Sequence, residues 1–179
     1  NLLKDWRAFL EAPVPERSVV PNAMRSSKAV SDERIWRMYK RVRREGRAIG
    51  PSSPPEDLHE LRKSCKKLRY LMEFFHCLYK PKAIRALINE LKLLQENLGD
   101  YQDLDVQISS IEHYATEMQQ LGVYEDATSK AMEALLATLH AQMDDVRAHF
   151  HERFERFSRK ETRRQFRELF RPGKPAMTE

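Results

Sequence analysis

The sequence predicts an all-α fold: an antiparallel, four-helix-bundle-like half domain with long helices. Three observations carry that prediction. Charged residues make up 33% of the chain and hydrophobic ones 41%, with five glycines, a balance that suits long amphipathic helices better than sheets. Apolar residues recur three and four positions apart through most of the chain. The breaks between the periodic stretches are short, and short connections make antiparallel neighbours. At 179 residues the chain has room for one domain with a sizeable core.

The elements follow in order. Residues 1–10 read as the tail of a helix, and residues 11–30, with three prolines and no clear period, as a connector. Ser31 can N-cap a helix that runs to about residue 49. Gly50-Pro51-Ser52-Ser53-Pro54-Pro55 is a firm break, and Pro54 and Pro55 suit the start of a third helix, about residues 56–79. Pro81 restarts a helix to about residue 98, with Gly99 placed for a left-handed residue just past its end. Asp100 and Asp103 suit the cap and first turn of a next helix, which ends near Leu121 and Gly122. A last long helix covers about residues 123–157, bends near Ser158 and continues to residue 170. The expected organisation is a remnant helix and connector over 1–30, a helical bundle over 31–170 and a tail over 171–179. No stretch has the unbroken apolar length of a membrane span, so no membrane partner is expected. Cys65 and Cys77 fall on a helical pattern and read as small buried apolar groups, which is compatible with a reducing compartment and predicts a cytoplasmic location.

The net charge of +5 is modest, but its distribution is not. Residues 34–70 hold twelve Lys/Arg against four Asp/Glu, residues 95–126 hold eight acids and no Lys or Arg, and residues 147–174 hold ten bases against four acids. Such poles produce strong local fields, and the basic ones suggest a polyanionic partner.

On a helical wheel of residues 58–75, His59, Arg62, Lys63, Lys66, Arg69, Tyr70 and Glu73 share one side. Leu58, Leu61, Cys65, Leu68, Leu71, Met72 and Phe75 share the other, the expected core stripe. A solvated face usually mixes signs so that pairs form one turn apart; His59, Arg62, Lys63 and Lys66 have no acid among them, and a bound anion would offset their repulsion. Glu73 stands one turn after Arg69 and gives that arginine a structural share. The preceding helix repeats the pattern, with Arg34, Arg37, Lys40, Arg41, Arg44 and Arg47 opposite Ile35, Met38, Tyr39, Val42 and Ile49. Packed side by side, the two helices would join their basic faces in one trough. Arg153, Arg156, Lys160, Arg163, Arg164 and Arg167 form a third stripe, whose apolar counterpart past Ser158 is poorly defined.

The run His59-x-x-Arg62-x-x-x-Lys66-x-Leu68-Arg69-Tyr70-x-x-Glu73 resembles the signature of the conserved histidine α-helical domain (CHAD) family. Leu94-Gln95-x-x-Leu98-Gly99-x-x-x-Asp103-Leu104-Asp105 resembles that family's second recurrent segment, and the likeness runs from about residue 31 to 157. The resemblance implies two similar four-helix halves with a basic surface at their junction, and a module that binds inorganic polyphosphate, consistent with a place at polyphosphate granules. By it, His59, Arg62, Lys66 and Arg69 face the polyanion. The family carries a related basic helix in each half and this chain holds one, so the expectation is a second half plus connector, open to self-association or to docking of a missing first half.

The chemistry of the residues agrees. Polyphosphate carries about one negative charge per repeating unit, so cations one helical turn apart are a sensible counterpart, by analogy with nucleic-acid phosphates. Arg62, Arg37, Arg41 and Arg44 suit bidentate contacts to phosphate oxygens, with Lys63, Lys66 and Lys40 as compact point charges. His59 donates one hydrogen bond when neutral and two when charged, and Tyr70 can donate its hydroxyl.

Two rivals stand beside this reading. RNA would also explain the charge, but it favours exposed aromatics among the bases, and Trp36, Tyr39, Phe74 and Phe75 fall mostly toward the apolar sides. A magnesium-dependent diphosphate enzyme could use Asp100, Asp103 and Asp105, but helix capping accounts for those acids more simply. His113, His140, His149 and His151 lack zinc spacing, and neither a nucleophile–base pair nor a glycine-rich phosphate loop stands out. The expectation is a binding module, not an enzyme, with no cofactor and no metal.

Overall fold

A computed structural model describes residues 2–12 and 22–171. It is all-α: α1 (Leu2–Glu11), α2 (Ser27–Ala48), α3 (Pro55–Phe74), α4 (Pro81–Gln120), α5 (Asp126–Ser158) and α6 (Lys160–Phe170), with a 3₁₀ turn at His76–Leu78 and no strand among the described residues. Successive helices pack antiparallel, and α6 folds back onto α2. No described helix is long and apolar enough to cross a membrane. The three prolines of the expected connector, and residues 172–179 of the expected tail, lie outside the described residues.

The core sits where α2, α3, the first half of α4, the last half of α5 and α6 converge. Leu61, Cys65, Leu68 and Met72 of α3 meet Leu87, Leu91, Leu94 and Leu98 of α4, all fully or almost fully buried. Each side chain of this size contributes about 1.5–3 kcal/mol when buried. Burial pushes the Cys65 thiol up, so it stays neutral. Cys77 is exposed, against expectation, because the 3₁₀ turn after α3 takes it off the helical stripe.

Besides the end of α3, at Phe74 rather than about residue 79, two boundaries differ from the sequence reading. The cap of α2 is Ser26, whose Oγ accepts from the Ala29 amide at 3.2 Å. Ser31 lies inside the helix, buried, and its hydroxyl donates to Tyr79 Oη at 2.7 Å, while Tyr79 donates to Asp32 at 2.9 Å. A serine with a buried long-range partner has no need to cap. The second difference is larger. The break expected at Gly99 does not occur: α4 is one helix of 40 residues, about 60 Å at the usual rise. Its buried positions Leu91, Leu94, Leu98, Tyr101 and Ile108 keep three- and four-residue spacing straight through the glycine. Packing on that stripe outweighs the cost of one helical glycine, about 1 kcal/mol. Asn97 adds a tie, donating to the Val146 carbonyl of α5 at 2.9 Å. Helix α4 ends as expected near Leu121, and Gly122 turns the chain at φ +69°.

Arg159, extended at ψ 163°, separates α5 from α6, the bend expected near Ser158. The apolar face of α6, poorly defined in the sequence, is well defined here: Thr162, Phe166 and Phe170 are buried, and Phe166 stacks on Tyr39 at 3.8 Å. Arg147 of α5 staples the α2–α3 loop, donating to the Gly50 carbonyl at 3.1 Å and to the Ser53 carbonyl. Exposed large apolar side chains gather on α1 (Leu2, Leu3, Trp6, Phe9, Leu10) and toward the tip of the α4–α5 hairpin (Tyr114, Leu121, Val123, Leu135).

Candidate functional site

The basic side of α3 splits into two flanks. Arg62, Lys66 and Arg69, at i, i+4 and i+7, lean toward α4 and line a groove of about 530 Å³ with Tyr70 and with Lys92, Gln95 and Glu96 of α4. Lys67, Tyr70, Leu71 and Phe74 lean toward α2 and, with Met38, line a separate and almost wholly apolar groove. Tyr70 stands on the crest between the two, about half exposed, with the Arg69 guanidinium 5.2 Å from its ring centre. The trough expected between the basic faces of α2 and α3 is therefore not the groove that forms. The arginines of α3 face the neighbouring edge of α4 across a groove instead.

Three of the groove's four cations have no counter-ion among the described residues. Arg62, Lys66 and Lys92 form no ion pair or hydrogen bond among the described residues. Arg69 forms the ion pair expected with Glu73, Nε to Oε1 at 4.0 Å, but that distance is too long for a hydrogen bond, and the buried Nε makes none. Glu96 moderates the field at the rim, and Gln95 brings an amide that can donate or accept. Gly99 leaves room beside Arg62, whose Nε and Nη2 would stand 3.9 Å from a side chain there. Two guanidinium forks and two ammonium groups facing one another across a cleft can hold successive oxyanions, the arginines bidentately and the lysines as point charges.

His59 extends this row by one turn. Its Nδ1 donates to Gln102 Oε1 of α4, and Gln102 in turn reaches Asp105 at 3.5 Å. The contact places the imidazole at the α3–α4 seam and leaves Nε2 as the nitrogen available to an anion. Lys63 falls on the other flank, paired with Glu60 at 2.6 Å, and that hydrogen bond lowers the Glu60 carboxyl.

The α2 candidates are dispersed. Arg37 pairs with Glu33, and Arg41 with Glu45 at 2.6 Å, which raises Arg41. These acids sit one turn away on the same helix, so the α2 face is not the unpaired row the wheel indicated. Lys40 and Arg44 are exposed and do not line the groove. The C-terminal stripe is also divided: Arg156 and Arg159 bind Glu90 of α4 at 3.0 and 3.4 Å, and Arg164 pairs with Glu168 at 3.7 Å. Asp100 and Asp103 are exposed on a continuous helix and so cap nothing; Asp100 lines the α4–α5 groove. Among the described residues, no three His, Cys, Asp or Glu side chains gather as a metal site. Of the aromatics, Tyr39 is buried and Trp36 and Phe75 partly so, but Phe74 is 77% exposed beside Lys67, a stacking surface the wheel did not anticipate.

Lys92 and Gln95 were missed in the sequence. Lys92, Gln95, Gly99 and Gln102 stand three, four and three residues apart, a single helical edge. The edge is visible only if the helix continues through Gly99.

The model of the CHAD domain matches the chain over residues 1–112, a span that includes α1, α2, α3 and most of α4. No curated protein matches the chain.

Proposed function

The chain belongs to the CHAD domain family, and from that premise we propose that it is a binding module, not a catalyst, whose ligand is inorganic polyphosphate held along the α3–α4 groove. The observation that carries this reading is the convergence of Arg62, Lys66 and Lys92 on one cleft with no acid bound to any of them. Uncompensated cations this close repel one another, and a linear polyanion relieves the repulsion at every turn of the helix. Arg69 continues the row, and His59 lies at its open end, able to donate from Nε2 once protonated. Lys40 and Arg44 of α2 contribute to the field that draws the polymer in rather than to the contacts that hold it.

RNA is the second reading, because exposed Phe74 and Tyr70 flank Lys67 next to the groove and offer faces for base stacking. Titrating the chain with long-chain polyphosphate and with unstructured RNA of matched charge, at two ionic strengths, separates the two. The expected result is tighter binding to polyphosphate, steeply weakened by salt, lost in the Arg62→Glu/Lys66→Glu variant and indifferent to Phe74→Ala. Tighter binding to RNA, weakened by Phe74→Ala, would replace polyphosphate with RNA as the ligand.

A further inference from the structure

A second group of cations lies on another side of the molecule, at the seam between α2 and α6, and none of its members lines the groove. Tyr39, Arg43 and Arg47 follow one another at single-turn spacing along α2. Opposite them, α6 presents Arg163 one turn before Phe166, the ring that stacks on Tyr39. The Arg43 guanidinium stands 5.7 Å from the centre of the Tyr39 ring. Arg47 and Arg163 are close enough for their charges to act on both Tyr39 and Arg43.

This cluster is frustrated in two ways. Arg43, Arg47 and Arg163 have no ion pair among the described residues, although Arg43 is half-buried. Behind them Tyr39, 1% exposed, turns its hydroxyl toward Arg43, but neither that hydroxyl nor Nε and Nη2 of Arg43 makes a hydrogen bond of ordinary geometry. Burial lowers Arg43; Tyr39 opposes that, and the neighbouring Arg47 and Arg163 lower it further. Buried polar atoms are nearly always satisfied, and a half-buried charge with like charges for neighbours is costly. The two defects coincide in one place, and an anion beside the three guanidinium groups would supply the counter-charge they lack.

We propose that the α2–α6 seam is a second anion site, which takes a single phosphate group at the mouth formed by Arg43, Arg47 and Arg163, with Tyr39 as its inner wall. Three guanidinium groups suit a tetrahedral oxyanion with several oxygens to share, and the contacts would tie α6 to α2. The phosphate is either free orthophosphate or the end group of a polyphosphate chain; both present the same oxygens.

The test is thermal unfolding of the full chain in orthophosphate against sodium chloride of equal ionic strength. It is run on the parent, on Arg163→Gln and on the groove variant Arg62→Gln/Lys66→Gln. Phosphate is expected to raise the midpoint beyond the chloride control in the parent and in the groove variant. In Arg163→Gln the phosphate needed for half the effect should rise about tenfold, the scale of one charge-assisted contact. Repeating the series with polyphosphate in the groove variant identifies the source: stabilisation at a lower concentration of chain ends than of orthophosphate assigns the site to the polymer, and equal concentrations assign it to the free ion. A parent that responds alike to phosphate and chloride, or an Arg163→Gln variant that responds like the parent, overturns the proposal. A groove variant that keeps full polyphosphate affinity would instead remove the groove reading and leave the seam to be judged on Arg163→Gln alone.

Discussion

Gly46 and Gly99 both sit inside helices, and opposite outcomes follow from their neighbours. A Cβ at Gly46 would stand 2.1 Å from the ring of buried Phe154, where α5 lies against α2. Gly46→Ala should therefore destabilise the protein by about 2–3 kcal/mol, although alanine is the better helix former. Gly99→Ala meets only Arg62 at 3.9 Å and should stabilise by about 0.5–1 kcal/mol. Urea unfolding of the two variants checks the pair; stabilisation by both would mean that α5 does not approach α2 at Gly46. Tyr79 supplies a second test at this scale. Its hydroxyl joins Ser31 and Asp32, its ring packs on Phe170, and burial, with the Asp32 carboxylate adding to it, raises its phenol above the ordinary 10.0. A phenol raised by folding stabilises fully below the unfolded value and loses that contribution as pH climbs through 10 toward the folded one. Tyr79→Phe should cost about 1–3 kcal/mol at neutral pH by leaving Ser31 and Asp32 short of a partner. It should also flatten the loss of stability above pH 10, which unfolding curves at pH 8 and 10.5 would measure.

The helices work as two-sided parts. One flank of α3 delivers Arg62, Lys66 and Arg69 to α4, and the other lays Leu71 and Phe74 along α2, because each residue turns the helix by about 100°. Helix α4 matches the first flank only because it stays straight from Lys92 to Gln102. Lys92→Glu should then weaken polyphosphate binding at least about tenfold, since it removes a cation and plants an acid in the cleft. Arg44→Glu, an equal change of charge on the outer face of α2, should weaken it less and mainly through the association rate. Binding kinetics at fixed salt compare the two, and equal losses would mean that net charge, not the groove, sets the affinity.

Across the whole molecule, stability is unevenly distributed. Burial in α4 stops at Ile108 and in α5 begins at Leu139, so beyond those residues the two helices form an arm supported by little but each other. Helices α2 and α3, with 22 and 20 residues, are too short to run alongside it. Amides of residues 112–135 should exchange with solvent at least about a hundredfold faster than those of residues 87–98, where opening requires disruption of the core. Hydrogen exchange read by mass spectrometry measures the gradient; uniform protection would show that the arm is covered in solution. The charge is as uneven as the packing. The arm carries much of the acidic stretch, Glu112, Glu117, Glu125 and Asp126 among it, whereas the groove lies toward the other end of α4 at Lys92. On the proposed reading, this charge distribution would guide a polyanion to one end of the molecule and repel it from the other.

Most of the fold was legible in the residues themselves. Helical class follows from local periodicity, and the core stripe of α3 is written in Leu58, Leu61, Cys65, Leu68 and Met72 at three- and four-residue steps. The row Arg62, Lys66 and Arg69 was legible for the same reason, since a single helix fixes which of its residues share a flank. What the neighbours decided could not be read in this way. Gly99 carries a local preference for ending a helix, and only long-range packing of the stripe around it, with Asn97 tied to Val146, makes it continue. Whether a cation is free depends on which acid stands beside it after packing: Glu90 takes Arg156 and Arg159 across 66 and 69 residues of chain, and no described residue takes Lys92. Periodicity is a property of one helix and survives in the sequence; the pairing of two helix faces depends on long-range packing free energy, which no short window of sequence contains.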